Sequence, residues 1–490
     1  MNYRLVSKLL GLLLLLLSAA MLSCLVYAWW HHERTPGFDA VEAFAASNMA
    51  SALVGLILIG LGKGSGHEML RKEAVAVVGL GWFVCAAFGA LPYILCEPSL
   101  GPAAAFFESV SGFTTTGSSV IADLDPFPRS ILLWRSLTQW LGGLGILVLF
   151  VALLSSLGAG SKALFHHEYS AKNGGGLQAR IQDVATRFLQ IYTGLTIVCA
   201  GGLMLMGMSP YESVCHAMTT LSTGGFSPRN TSLAAYHSLA IELWITLFML
   251  LGGISFMLYA WLLRGRWDRW KTDEETKVFL CIVAGVTSVI ATDLLLVGDG
   301  HTVIGAFRDG LFQVVSIITT TGFVSTDYDV WPPLSRLLLL ILMIIGGCAG
   351  STAGGIKVSR WVLFFKIVRH EITHSYRPKQ IFTLRLNGVI AEADLFLQTI
   401  FFIALAGVTV TIGTVVVSLL EPGMSIDGCL SSVLATLFNI GPGLAKVGPT
   451  HTFAHFGGGT MFFLSLLMLL GRLEFFAVLV LFMPSLWRRY

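Results

Sequence analysis

The segment Thr319-Thr320-Thr321-Gly322-Phe323 places three hydroxyls and a glycine between two strongly apolar stretches. Three other places repeat that chemistry. The glycine-terminated windows are Phe113-Thr114-Thr115-Thr116-Gly117, Leu221-Ser222-Thr223-Gly224-Gly225, Ile318-Thr319-Thr320-Thr321-Gly322 and Leu437-Phe438-Asn439-Ile440-Gly441, each with an apolar residue four positions before its final glycine. Four polar turns of one design in so apolar a chain are what an ion pathway with fourfold pseudosymmetry requires.

Each turn sits inside a larger repeated unit: a long apolar span, a proline or glycine break, a short apolar segment, the turn, a polar outer loop and a second long span. In the first unit the spans cover 73–96 and 131–157; in the second, 184–207 and 239–263; in the third, 278–297 and 334 onward; in the fourth, 395–420 and 460–483. A second mark keeps register with the first. Leu141-Gly142-Gly143, Leu251-Gly252-Gly253, Ile345-Gly346-Gly347 and Leu470-Gly471-Arg472 begin their small-residue mark 25, 27, 24 and 30 residues after the final glycine of the turn, by subtraction. Repeats of this kind set the architecture before any single element does. The expected divisions are 1–66, an N-terminal helical pair, then pore repeats at 67–160, 161–265, 266–375 and 376–490.

Composition agrees with a membrane location. Of the 490 residues 55% are hydrophobic and 12% charged, against roughly 25% charged in an ordinary soluble domain. Apolar runs of about twenty residues match a hydrocarbon core of roughly 30 Å, and backbone groups there must be satisfied within helices. The fold class is therefore an all-α polytopic membrane protein. Lys and Arg gather in 4–8, 63–72, 162–187, 264–277, 357–385 and 488–489. By the positive-inside rule these are cytoplasmic, as is the N-terminus. The interspersed Asp268, Asp273, Glu274, Glu275 and Glu371 argue against nucleic acid as a partner. Arg4, Lys8 and the leucine run resemble a secretory signal, but the apolar stretch continues to Trp29-Trp30 and reads as a retained helix. Cys24, Cys85, Cys199, Cys281 and Cys348 lie in apolar segments without metal-type spacing and read as small core residues.

The short segments before the turns cannot cross, because about ten helical residues rise only roughly 15 Å. They must re-enter, with the non-helical backbone after them lining a wet cavity. A helix that ends at the turn directs its negative dipole end at that cavity, which favours a cation. The terminal glycines allow consecutive carbonyls to face one axis and replace a hydration shell.

These residues carry a resemblance. Ser111-Gly112-Phe113-Thr114-Thr115-Thr116-Gly117, Ser222-Thr223-Gly224-Gly225-Phe226-Ser227, Thr319-Thr320-Thr321-Gly322-Phe323 and Asn439-Ile440-Gly441-Pro442-Gly443 make the chain similar to the bacterial Trk-type potassium uptake subunits, the TrkH and TrkG kind, of the superfamily that includes KtrB and plant HKT transporters. The similarity runs over essentially the whole chain, and the N-terminal pair resembles the Trk branch. It implies potassium binding at Thr114, Thr115, Thr116, Gly117, Ser222, Thr223, Gly224, Gly225, Thr319, Thr320, Thr321, Gly322, Phe438, Asn439, Ile440 and Gly441. Glycine rather than serine at Gly117 argues for potassium over sodium. The resemblance also implies a homodimer in the bacterial inner membrane, in contact with lipid, and a cytoplasmic nucleotide-binding ring of the TrkA kind docked on the basic inner segments. Potassium is the transported ion; no organic cofactor and no enzyme activity are expected.

The third unit contains Gly346-Gly347-Cys348-Ala349-Gly350-Ser351-Thr352-Ala353-Gly354-Gly355 where one long span is expected. Each helical glycine costs roughly 0.5–1 kcal/mol relative to alanine, so the span should break into a flexible polar loop under the filter. In similar Trk proteins such a loop is the intramembrane gate, with Gly346, Gly347, Gly350, Ser351, Thr352, Gly354 and Gly355 as its residues here. Arg472 stands where the other units have Gly143, Gly253 and Gly347. An ionised residue inside a span faces a cavity or a partner, so Arg472 should either repel a resting cation or hold the gate loop through its carbonyls. Glu474, two residues on, does not share its helix face.

His451 and His455 have the spacing of a helical metal pair but fall in an outer loop; His31-His32-Glu33 and His166-His167-Glu168 mark membrane boundaries. Glu108, in the first short helix, is suited to supporting the filter. Competing functions are a secondary transporter coupling potassium to protons or sodium, which calls for carboxylates on broken spans, and a membrane enzyme, which calls for a nucleophile or metal cluster.

Overall fold

The computed structural model describes residues 1–33, 37–64, 71–156, 177–297, 302–377, 385–386, 389–390 and 393–487. Arg34, His166-His167-Glu168, Lys379, Arg488 and Arg489 lie outside the described residues. The chain opens with α1 (Tyr3–Trp30) and α2 (Ala40–Leu61), a closely packed helical pair. Asn2 and Asp39 cap them by accepting from the Leu5 and Glu42 amides at 3.2 and 2.8 Å. Their axes approach at Gly11 and Gly55, where a methyl on Gly55 would meet the Gly11 carbonyl oxygen at 3.0 Å. Small residues set such close membrane packing.

The first unit comprises α3 (Arg71–Gly89) and α4 (Leu91–Leu95), the re-entrant α5 (Pro102–Phe113), and α6 (Arg129–Ser156). The second comprises α7 (Leu177–Leu205), re-entrant α8 (Pro210–Leu221), α9 (Leu239–Gly253), α10 (Phe256–Leu262) and the short α11 (Trp267–Thr272). The third holds α12 (Glu274–Leu296), re-entrant α13 (Val303–Ile318), α14 (Pro333–Ile344) and α15 (Val358–Tyr376). After a two-residue antiparallel pair, β1 (Arg385–Leu386) with β2 (Val389–Ile390), the fourth holds α16 (Ala393–Leu420), re-entrant α17 (Ile426–Leu437), α18 (Gly458–Arg472), α19 (Phe476–Leu479) and α20 (Pro484–Trp487).

Among the described residues six helices are long and apolar enough to cross a membrane, and the bent pair α9–α10 makes a seventh. The re-entrant helices start where their sequences say they should. Pro102 and Pro210 occupy first helical positions, and Ser209, Thr302 and Ser425 cap with side-chain oxygens. α5, α8 and α17 have 12 residues each, about 18 Å of rise, too short to cross. The second helix of each unit packs on the re-entrant helix of the next: α6 on α8, α9 on α13, α14 on α17, and α18 on α5. The four units thereby close into a ring.

Two expectations fail here. The spans placed at 239–263 and 460–483 are not continuous: α9 stops at Gly253 and α10 leaves at 95°, and α18 stops at Arg472 before Glu474 and Phe475 take positive φ of 55° and 58°. In the second unit the reason is tertiary. The Gly252 and Gly253 carbonyls accept from Thr352 and Cys348 at 3.3 and 2.9 Å, so another unit, not the helix, satisfies them.

Candidate ion pathway and gate

The four turns share one backbone. Thr114, Ser222, Thr319 and Phe438 end the re-entrant helices with φ of −76°, −75°, −80° and −96°. The next residues, Thr115, Thr223, Thr320 and Asn439, are left-handed, with φ of 53°, 53°, 54° and 56°. Two positions further, Gly117, Gly225, Gly322 and Gly441 are left-handed again at 85°, 77°, 77° and 108°. A β-branched residue rarely adopts positive φ, and three threonines held there cost about 1–3 kcal/mol each. Strain repeated at one register position in three units is a property of the site.

The glycines also close a circuit. A methyl on Gly117 would strike the Gly224 carbonyl oxygen, on Gly225 that of Thr321, on Gly322 that of Ile440, and on Gly441 that of Thr116. Each turn thus abuts the next, first to second to third to fourth and back to first. Side-chain hydroxyls brace the opposed first and third turns alike: Thr114 and Thr116 share a hydrogen bond of 2.7 Å, Thr319 and Thr321 one of 2.8 Å. Asn439 donates to Thr116 Oγ1 at 2.8 Å, tying the fourth turn to the first. Gln139 of α6 clasps the second, donating to the Gly224 carbonyl at 2.6 Å and accepting from the Phe226 amide at 3.0 Å.

Behind the turns, nine residues before each final glycine, stand Glu108, His216, Gln313 and Ser432, all fully buried. Glu108 accepts from the Val120 amide at 2.9 Å, Ser119 Oγ at 3.0 Å and Arg135 Nε at 2.8 Å. Arg135 donates on to the Ser227 carbonyl at 3.2 Å and lies 4.0 Å from the centre of the Phe226 ring. His216 Nε2 is 3.1 Å from Ser227 Oγ, and Gln313 donates to Ser325 Oγ at 3.2 Å. Three units therefore use this position to hold the chain leaving the turn. In the fourth the neighbouring Ser431 does so, accepting from the Leu444 amide at 3.0 Å.

The final glycines of all four turns line one vestibule of about 120 Å³, together with Ser118, Arg229, Asn230 and His451. Arg229 is paired with Glu212 at 2.6 Å. Asn230 donates to Asp123 at 2.8 Å, and this bond, with the Asp125 amide, keeps the Asp123 carboxyl below its ordinary range. His455 donates instead to the Thr452 carbonyl, so the two loop histidines face different tasks.

On the opposite side of the turns lies the segment between α14 and α15. It is far from a loose loop. Gly346 donates to the Ile356 carbonyl at 2.9 Å, and Phe256 donates to that of Gly350 at 2.9 Å. The Ala349 and Ser359 amides both donate to Glu275 Oε1, at 2.7 and 2.9 Å, and Lys357 Nζ reaches the Ala353 carbonyl. The segment touches the bases of three turns: Gly354 N donates to Thr320 Oγ1 at 2.6 Å, Gly355 N to the Phe438 carbonyl at 3.0 Å, and Thr352 Oγ1 to the Leu221 carbonyl at 2.8 Å. Arg472, 3% exposed, donates from Nη1 to the Thr352 carbonyl at 2.9 Å. Its Nε and Nη2 are buried and make no hydrogen bond to the protein. Glu474 pairs with Arg360 at 2.5 Å rather than with Arg472.

The family described as TrkH, cation transport protein, matches residues 43–489. The chain belongs to the TrkH family. It is 34% identical to the Trk system potassium uptake proteins TrkH of Halomonas elongata and of Escherichia coli, over 100% of both chains in each case. It is 31% identical to TrkG of Escherichia coli over 99% of both chains. The crystal structure of the potassium transporter TrkH from Vibrio parahaemolyticus superimposes with a TM-score of 0.89 at 32% identity, covering 100% of both.

Against this family background, several contacts lay beyond sequence reasoning. Gln139 is a polar residue within an apolar span and Glu275 one of the acids mixed into the basic segment 264–277, and neither position names a partner. Arg135 was visible as a cation outside the basic segments, but its bond to Glu108 joins residues 27 apart.

Proposed function

We propose that this chain carries potassium into the cell across the inner membrane, through a filter made by the four turns and a gate made by the segment 345–357. One observation carries the reading: four left-handed turns of identical form close a ring that opens outward to a vestibule and is stoppered inward by a segment touching three of them. Carbonyl rings of this kind replace the hydration shell of an ion of fitting size. The filter comprises Thr114 to Gly117, Ser222 to Gly225, Thr319 to Gly322 and Phe438 to Gly441. Gly346, Gly347, Gly350, Ser351, Thr352, Gly354, Gly355 and Arg472 form the gate. Relatives named as potassium uptake proteins over the full length of the chain support the choice of ion.

In this reading the ion sheds water at the ring, and the gate opens when Thr352 leaves Arg472 and the Leu221 carbonyl. The repeats are read as 67–160, 161–265, 266–375 and 376–490, a division supported by the packing of each unit's second helix on the re-entrant helix of the next. A homodimer with a cytoplasmic N-terminus and a TrkA-like nucleotide-binding ring on the basic inner segments completes the assembly. Expression in a strain lacking potassium uptake tests the assignment. Wild type should restore growth at micromolar to millimolar potassium, and Gly322→Ser should admit sodium. Failure of the wild-type chain to restore growth removes the potassium assignment.

A further inference from the structure

The second turn differs from the other three in what stands behind it. The amide of each turn's third residue makes the same bond: Thr116 donates to the Ser111 carbonyl, Gly224 to that of Thr219, Thr321 to that of Ser316 and Ile440 to that of Ala435, each at 2.9 Å. The backbone is therefore common to all four. The side chain is not, since Thr116, Thr321 and Ile440 carry one and Gly224 does not. Gly224 is not among the residues with positive φ, so its conformation does not call for glycine. A Cβ there would instead fall 2.4 Å from Gln139 Cδ. The glycine leaves the space that Gln139 fills.

The register of Gln139 says what it replaces. Three residues before the first glycine of the small-residue mark stand Gln139, Met249, Met343 and Met468. Four residues earlier, on the same helix face, stand Arg135, Ile245, Leu339 and Leu464. All eight are buried. Each second helix packs on the re-entrant helix of the next unit, so by register an apolar pair backs three of the turns and a polar pair backs the second. Arg135 donates to the Ser227 carbonyl at 3.2 Å, and Gln139 donates to the Gly224 carbonyl at 2.6 Å while accepting from the Phe226 amide at 3.0 Å. A carbonyl only accepts and a backbone N–H only donates, so these partners fix which way the Gln139 amide points.

The consequence falls on one oxygen of the ring. Among the described residues the Thr116, Thr321 and Ile440 carbonyls accept no hydrogen bond, whereas that of Gly224 accepts from Gln139. The bond holds this oxygen against closing in on a small cation, and it weakens the field that the oxygen offers an ion. A fixed, weaker field favours the more easily dehydrated cation, potassium over sodium. We infer that Gln139 is a specificity-determining positioning residue, whose amide sets the Gly224 carbonyl and through it the preference of the four-turn ring for potassium over sodium. The inference rests on the filter function proposed above.

Potassium and sodium fluxes into proteoliposomes of the full-length protein, measured in parallel, test it. Gln139→Met, close in shape and the residue found at this register in the other three units, should lower the potassium-to-sodium flux ratio about tenfold, the scale of one neutral hydrogen bond. Gln139→Leu, of similar size and equally unable to hold the carbonyl, should lower it alike and guards against a packing fault peculiar to the first variant. Gly224→Thr should lose both fluxes through its clash with Gln139, and adding Gln139→Met should recover them. An unchanged ratio in both Gln139 variants overturns the inference, even where potassium and sodium fluxes fall together, because that is the mark of a structural brace alone. Equal flux from Gly224→Thr with and without Gln139→Met also overturns it, since Gln139 then does not fill the space beside the turn. A wild type that carries neither ion removes the transport reading and this inference with it, whereas a potassium-selective wild type matched by both Gln139 variants removes this inference alone.

Discussion

α6 and α14 occupy equivalent positions in the first and third units, and in each unit a glycine pair falls just past the polar turn's depth, yet one helix continues through the pair and the other ends before it. α6 contains Gly142, Gly143 and Gly145 within four residues and remains helical to Ser156. α14 stops at Ile344, before Gly346 and Gly347. α9, with only Gly252 and Gly253, also stops. A glycine pair therefore does not by itself decide where these helices end. In α6 the pair makes room: a methyl on Gly142 would fall on the Phe113 carbonyl oxygen and one on Gly143 within 2.9 Å of Ser222 Cα. After α14 the pair makes bonds, Gly346 closing on Ile356 and Gly347 accepting from Val358 at 3.2 Å. The same two residues are a bearing surface in one repeat and a hinge in the other.

The largest test of that contrast substitutes alanine at the two matched positions. In Gly142→Ala the added methyl must displace the base of the first turn, and potassium uptake should fall by about a hundredfold, the scale of a misplaced reaction path. In Gly346→Ala the methyl meets the Gly354 carbonyl instead, so the segment between α14 and α15 is pushed off its seat and, if it is the proposed gate, basal flux should rise. Flux measured in proteoliposomes checks both. A fall in both variants would mean that the pair has one role in all repeats.

Removing the carboxylate that pins the hinge should have a smaller effect. Glu275 accepts both flanking amides, Ala349 and Ser359, and hydrogen bonds to a charged group contribute about 1.5–3 kcal/mol. Glu275→Ala should raise basal flux about tenfold, and Arg472→Ala, which frees the Thr352 carbonyl, should act in the same direction. Unchanged flux in both would show that the segment's remaining bonds suffice to close it. Among the described residues α6 has no counterpart, and intact helix replaces the pins there.

How much of this was legible beforehand follows the range of the interactions. The re-entrant helices and their turns were readable because length, first-turn prolines and terminal glycines are local properties, visible at Pro102, Pro210 and Gly322. The end of α14 was readable because five glycines crowd ten residues. The end of α9 was not, since its carbonyls are satisfied by Thr352 and Cys348, about a hundred residues away. The end of α18 was hidden for a similar reason, as Glu474 is engaged by Arg360. The ring of glycine-to-carbonyl contacts could be inferred as a symmetry, but its bracing by Gln139 and Asn439 could not, because neither an amide in an apolar span nor one in a turn names its partner.

The smallest expected effect isolates space from flexibility within α6 itself. Gly145 follows the pair by two residues and borders only Trp82, which an added methyl would approach at 3.4 Å, an ordinary contact. It neither bears on one of the four turns nor takes part in a hinge. If α6 is a rigid strut, Gly145→Ala should leave flux within about twofold and stabilise the helix by about 0.5–1 kcal/mol, the usual gain from replacing a helical glycine. Thermal unfolding in detergent reads the stability, and proteoliposome flux reads the function. A large loss of flux would mean that α6 must bend during conduction, and the contrast between the first and third repeats would then be one of degree, with all four second helices hinged near the same depth.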